Sequence, residues 1–238
     1  MKRTLLHFGV VAFVFCVALT ACKKTNVASS ASDPQLNFVL QSDNPSFTFA
    51  SAGATNGATG GQAFSWNWGI ASITKFRMSA KRGGMPVEYS SSNLTNVDLF
   101  SLVPSLSSIS IPKGDYTEVK TTTIFTQTNG TDFPVILKGT YVTGAGGHIP
   151  AEFDLNDNLE INVQVNNIIA DGSKDFTTKI ALHLNLFLNS ISAQEIDAAT
   201  RTNGTILINK TINTSLYNKI KGNMLACAAS TLLSAAKK

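Results

Sequence analysis

Charge, cysteine and histidine are all scarce in this chain. Only 14% of its 238 residues are Asp, Glu, Lys or Arg, and it holds 3 cysteines and 3 histidines. So little charge, in a chain rich in Ser, Thr, Asn and Gly, argues against a helical bundle and for a β-leaning, extracytoplasmic composition. Catalytic signatures are missing as well. There is no Gly-x-Ser-x-Gly elbow, no His-Glu-x-x-His, no Cys-x-x-Cys and no phosphate-binding Gly-x-x-x-x-Gly-Lys loop. No internal repeat is present. These absences point away from an enzyme, and no cofactor is expected.

What is there begins with an address. Lys2 and Arg3 precede an apolar run from Thr4 to Leu19, and Leu19-Thr20-Ala21-Cys22 closes it. The run is short of the roughly 20 apolar residues that a spanning helix needs, so it reads as a secretory signal. Its ending resembles the lipobox of bacterial lipoprotein precursors. That resemblance implies cleavage after Ala21 and lipidation of Cys22, leaving 217 residues and a membrane anchor. Loss of Lys2 and Arg3 lowers the formal charge from +4 to +2, which gives no reason to expect a nucleic-acid partner. Cys16 leaves with the signal, so Cys227 is the single free thiol and no intramolecular disulfide can form. Cys227 lies in an Ala-rich stretch that reads as helical packing. Lys23, not Asp, follows Cys22. In lipoproteins that favours the outer membrane, and with no acidic cluster nearby the periplasmic or surface face stays open.

Four segments follow: the signal (1–21), a small polar tether (22–35), a β-sandwich (36–190) and a helical C-terminal part (191–238) packed on it. Phe64, Trp66, Trp68 and Ile70 alternate with small or polar residues, as do Thr74, Phe76, Met78 and Ala80. Gly83-Gly84 is a hairpin signal returning through Met85–Tyr89, and Asn129-Gly130 marks another turn. Thr117, Val119, Thr121, Thr123 and Phe125 form one β-branched face. Leu159–Val165 and Ile180–Leu188 also alternate and read as an antiparallel pair. Ser192-Ala193-Gln194-Glu195 fits a capping box opening a short helix, Thr205–Asn209 a strand, and Asn213 or Thr214 a cap for a last helix. Along that helix Leu216, Ile220, Met224, Ala228 and Leu232 recur at spacing four. The fold expected is mainly β, an antiparallel immunoglobulin- or transthyretin-like sandwich with a helical tail.

The middle of the chain carries an aromatic strand (Phe64–Met78), then Val97-Asp98-Leu99-Phe100-Ser101-Leu102, then Ile111-Pro112-Lys113-Gly114-Asp115-Tyr116. This succession resembles an uncharacterised family of Bacteroidetes-type lipoproteins with transthyretin-like or carbohydrate-binding-like sandwiches. The resemblance makes Asp98, Pro112, Gly114 and Tyr116 structural markers and supplies no catalytic residue.

Three groups of residues are candidates for function. The Phe64/Trp66/Trp68 row is either core or an aromatic platform for a sugar ring. His148, beside Gly144-Ala145-Gly146-Gly147, is the better ligand of the two mature histidines, and His183 reads as a satisfied strand histidine. The loop Ser51–Gln62, with Ala145–His148, frames a glycan or protein contact. Asp154, Asn156, Asp157 and Asn158 begin like a calcium loop, but Leu159 replaces its glycine and Val165 its final glutamate. A polar turn is the competing reading. The functional expectation is a lipid-anchored, non-enzymatic binding or structural module with a glycan or envelope protein as partner. The alternatives are a carbohydrate-binding or adhesin-like surface protein, or a hydrolase uniting His148 with distant carboxylates.

Overall fold

A computed structural model describes residues 33–50, 61–92, 96–101, 105–127, 133–226 and 228–236. The signal, Cys22, most of the tether, residues 51–60 of the Ser51–Gln62 loop, the Asn129-Gly130 turn and Cys227 lie outside them. In chain order the elements open with β1 (Gln35–Asp43), β2 (Ser46–Thr48), β3 (Ala63–Ala71), β4 (Ile73–Arg82) and β5 (Met85–Ser92). Next come β6 (Val97–Asp98), β7 (Ser105–Ser110), β8 (Gly114–Phe125), β9 (Val135–Val142) and β10 (His148–Leu155). Then follow β11 (Leu159–Gln164), β12 (Ile168–Ala170), β13 (Lys174–His183) and a 3₁₀ turn, Leu184–Leu188. The chain continues through α1 (Ala193–Asp197), β14 (Arg201–Thr202), β15 (Thr205–Ile208), α2 (Thr214–Ala226) and β16 (Ala228–Ala236).

The strands make three sheets. Sheet I runs β16-β13-β1-β7. Sheet II runs β14-β15-β10-β9-β3-β2, with β6 also on β3. Sheet III runs β11-β8-β4-β5, with β12 also on β8. Sheets I and III face each other as a sandwich. Phe38 of β1 stacks on Phe76 of β4 with ring centroids 5.0 Å apart. At the two margins β5 lies beside β7 and β11 beside β16. The chain passes from sheet II to sheet III at buried Ser72, whose N–H donates to Pro134 O at 2.8 Å. The mainly-β sandwich expected from the alternation is therefore what forms. Two ladders, β1/β13 and β10/β15, are parallel among otherwise antiparallel pairings.

Sheet II is covered on one face by helix. Leu216, Tyr217, Ile220 and Met224 of α2 are buried, and Tyr217 stacks on Phe153 of β10 at 5.8 Å. Leu184, Phe187 and Leu188 of the 3₁₀ turn pack into the same core. The capping box is formed as expected: Ser192 Oγ accepts from Glu195 N, and the Glu195 carboxylate accepts from Ser192 N at 3.0 Å. At the start of α2 the Asn213 Oδ1 accepts from Thr200 N, and its amide donates to Thr200 O and Leu207 O, tying the helix to β15.

Several expectations need correcting. β11 pairs with β8, and β13 pairs with β1 and β16, so Leu159–Val165 and Ile180–Leu188 are not partners. Alternation identifies a strand but carries no information about its neighbour. β13 also stops at His183, and the 3₁₀ period of three then turns Leu184 and Phe187 inward while Leu186 stays exposed. The four-residue stripe is helical only to Met224, because the backbone of Ala228–Ala236 satisfies the open edge of β13 as β16. Helix propensity is worth only tenths of a kcal/mol per residue, and a nine-residue ladder outweighs it. The tether ends sooner than position 35, since Asp33 is buried and Pro34 O accepts from Ile111 N at 3.0 Å.

Irregularities in two strands decide which residues face inward. In β8, Glu118 takes a left-handed φ of 52° and the register against β4 shifts between Ser79 and Lys81. Val119, Thr121, Thr123 and Phe125 stay inside as expected, but Tyr116 replaces Thr117 as the inward residue. Tyr116 is fully buried and its hydroxyl donates back to Pro112 O at 2.5 Å, fastening the Pro112–Gly114 turn to the strand it opens. This is the arrangement of a tyrosine corner. Asp98 is likewise structural: its Oδ1 accepts from Phe100 N at 2.9 Å, and buried Leu99 bonds to Gly69 O.

The second irregularity is in β3, whose register against β9 shifts between Trp66 and Trp68, opposite Gly139. A Cβ on Gly139 would lie 2.3 Å from Ser65 O and 3.1 Å from Trp66 Cα. Only glycine lets the bulged strand come this close. We expect Gly139→Ala to lower stability by about 2–3 kcal/mol, because a backbone atom rather than a flexible side chain must move. Urea unfolding measures this, and a loss below about 0.5 kcal/mol would show that the approach is not tight.

Candidate binding face

Across the bulge the aromatic row divides. Trp66 is 2% exposed and packs on Phe64 with centroids 4.6 Å apart, whereas Trp68 is 38% exposed. Strict alternation would put both on one face. The extra residue, Asn67, reverses parity, so Gly69 and Ala71 turn inward after it and Trp68 and Ile70 outward. The platform of two tryptophans expected from the sequence is therefore one core tryptophan and one surface tryptophan.

Trp68 belongs to the face of sheet II opposite the helices. Register places it beside Lys138 of β9, Lys138 beside Glu152 of β10, and Glu152 beside Leu207 of β15. The contacts follow that row. Lys138 Nζ lies 5.3 Å from the Trp68 ring centroid and 3.3 Å from a Glu152 carboxylate oxygen. The ammonium thus bridges an indole face and a carboxylate two strands away, which these two contacts hold within about 9 Å of each other. Ser65, Thr140 and Pro150 make the next row, and Ala63, Val142 and His148 the one beyond. His148 is exposed on this face, beside the hairpin in which Gly147 N donates to Thr143 Oγ1 at 3.0 Å. Four residues of β10 separate it from Glu152, about 13 Å. His148 therefore joins neither the indole nor the carboxylates.

At the other end of the face Asp154 follows Glu152 by two residues and so points the same way. It is 5% exposed, and its Oδ1 has no hydrogen-bonding partner among the described residues. Burial first, then the charge and hydrogen bond of Glu152, push its pKa up to about 7, against the pull of Lys138. Two acceptors facing each other need a proton between them, and Asp154 keeps it near neutrality.

Three of the four residues weighed for calcium are spent elsewhere. Asp157 accepts from Lys210 Nζ at 2.8 Å, Lys221 Nζ at 2.6 Å and Tyr217 Oη at 2.9 Å. These donors hold its carboxyl well below the usual range, the Lys210 hydrogen bond most strongly. Asn156 Oδ1 accepts from Lys210 N and Asn158 Oδ1 from Gln127 N. No group of three or more His, Cys, Asp or Glu suited to a metal ion exists among the described residues. The calcium reading therefore gives way to the polar-turn reading: the loop docks α2 onto β10. His183 is satisfied by Asp43, Nδ1 to Oδ1 at 2.6 Å.

A shallow cleft of about 380 Å³ between α1 and α2 is lined by Glu195, Ala199, Thr200 and Leu216 among others. None of the expected site residues reaches it, and its Asn213 is engaged with Thr200 and Leu207. Lys138, Glu152 and Asp154 (the last weighed only as a calcium ligand) were the site residues the sequence reading missed. The alternation His148-Ile149-Pro150-Ala151-Glu152-Phe153-Asp154 already placed both carboxylates on one face. Compared with protein-family models, curated proteins and solved structures, the chain matches none.

Asp154 gives the face a pH signature. Its native pKa lies above the unfolded value of 3.8, so the folded state holds a proton that the unfolded chain releases. Its stabilisation is full below about pH 4 and is lost as pH rises through about 7. Asp154→Asn, which mimics the protonated acid, should match the parent at pH 4 and exceed it at pH 8. Thermal unfolding across that range checks this, and parallel profiles for the two proteins would contradict it.

Proposed function

We propose that this protein is a lipid-anchored component of a bacterial envelope, held through Cys22 at the outer membrane. In this reading it acts as a non-enzymatic binding module through the open face of sheet II. The lipobox-like ending Leu19–Cys22 and the neighbouring Lys23 support the anchor and its membrane. The resemblance of residues 60–190 to Bacteroidetes-type lipoproteins agrees with it. The observation that carries the binding role is the outward displacement of Trp68 by the β3 bulge. A large indole left on a flat sheet, beside a lysine and a carboxylate, forms a surface with one apolar patch and two polar groups in reach.

A glycan is the ligand class this row favours. The indole face offers stacking to the C–H surface of a sugar ring, and Glu152 accepts from hydroxyls within about 9 Å of it. A peptide partner is the other reading, favoured by the half-buried Ile70, Ile136 and Leu207 on the same face. A glycan array probed with the mature chain separates the two. We expect retention of a polysaccharide, at least tenfold weaker with Trp68→Ala and with Glu152→Gln at unchanged Tm. Glycan binding that survives both substitutions would place the ligand elsewhere.

A further inference from the structure

One pole of the sandwich joins the root of the tether to the most exposed apolar side chains. The chain enters at Asp33-Pro34-Gln35, where Pro34 O accepts from Ile111 N and Gln35 N donates to Asp175 Oδ1 at 2.8 Å. Three turns meet at this pole: Gly83-Gly84, Pro112–Gly114 and Asp171–Ser173. They interlock there. Arg82 Nη2 donates to Lys113 O at 2.6 Å, and the Lys113 side chain stands over Gly172, where a Cβ would lie 2.5 Å from Lys113 Cε. Met85 and Ile169 project from this frame at 70% and 69% exposure. Register sets them at its two margins, Met85 opposite Arg82 and Ile169 opposite Asp115, one residue out of the row Arg82–Tyr116–Ile168, so they flank the end of the sheet on opposite faces. Three strand spacings put them about 14 Å apart.

We propose that this pole lies against the bilayer holding the anchor, with Met85 and Ile169 inserted among the lipid headgroups. The proposal rests on the anchor at Cys22. The eleven residues from Cys22 to Asp33 reach at most about 36 Å, so the pole stays within one molecular diameter of the surface. At that effective concentration two apolar side chains suffice for a contact too weak to form free in solution. Charge does not drive it. Lys81 pairs with Glu118, while Asp33, Asp115, Asp171 and Asp175 outnumber Arg82, Lys113 and Lys174 by one. The contact therefore needs no anionic lipid and survives high salt.

Hydrogen exchange of the mature chain tests this. With Cys227→Ser, Cys22 is coupled in vitro to a maleimide phospholipid, so the protein is anchored whether or not cells lipidate it. The mass of the cell-derived N-terminus decides that separate question. On phosphatidylcholine vesicles, amide exchange at 83–85, 113–115 and 168–173 should slow at least threefold relative to the unanchored chain. Thr126 and Gln127, at the far end of β8, should not change. Met85→Ser with Ile169→Ser should abolish the difference while leaving Tm unchanged, both side chains being exposed. Equal exchange in anchored and free protein would overturn the proposal, as would slowing that the double variant retains.

Discussion

The architecture of sheet II turns on a single close approach, in which the bulged backbone of β3 lies against Gly139 of β9. A side chain of even one carbon at 139 would meet a carbonyl oxygen at 2.3 Å. Because the bulge can form, Trp66 stays in the core with Phe64 while Trp68 leaves it, and Gly69 faces inward against Leu137 and Phe100. The helical cover packs on the smooth inner face this produces. On the outer face, the same parity change sets Trp68 in register with Lys138 and Glu152. Without it the indole would compete for core volume, and the outer row would have no aromatic member.

Electrostatics distinguish the two sides of the same sheet. On the helical side, Asp157 is held ionised by two lysines and a tyrosine hydroxyl, and it fastens α2 to the β10–β11 turn. On the open side Asp154 is buried, its Oδ1 has no hydrogen-bonding partner among the described residues and burial pushes its pKa up to about 7, while Glu152 pairs with Lys138. Two aspartates three residues apart thus have opposite protonation tendencies. One stabilises the fold as an anion, and the other keeps a neutral acid beside the exposed row.

Local chemistry was legible in the sequence wherever it was self-contained. The Ser192–Glu195 capping box and the Gly83-Gly84 hairpin each involve residues within a few positions of each other. Each forms as read. What a window could not contain was partner choice: β13 alternates cleanly yet lies parallel to β1, 139 residues away from it at the Asn37–Phe176 bond. Ala228–Ala236 reads as helix until the edge of β13 is there to receive it. Asn203-Gly204 turns β14 back onto β15, both residues taking the positive φ of a tight hairpin. The candidate site was half legible. Trp68 was singled out with the wrong neighbour, while Lys138 and Glu152 needed the cross-strand register to be seen.

The most direct test of the account is tryptophan fluorescence in two single-tryptophan proteins, Trp66→Phe and Trp68→Phe. The protein retaining Trp68 should emit at longer wavelength and be quenched strongly by acrylamide. The protein retaining Trp66 should emit blue-shifted and resist quenching. Equal quenching of the two would mean that the bulge does not divide the row, and the open face described for sheet II would lose its aromatic centre.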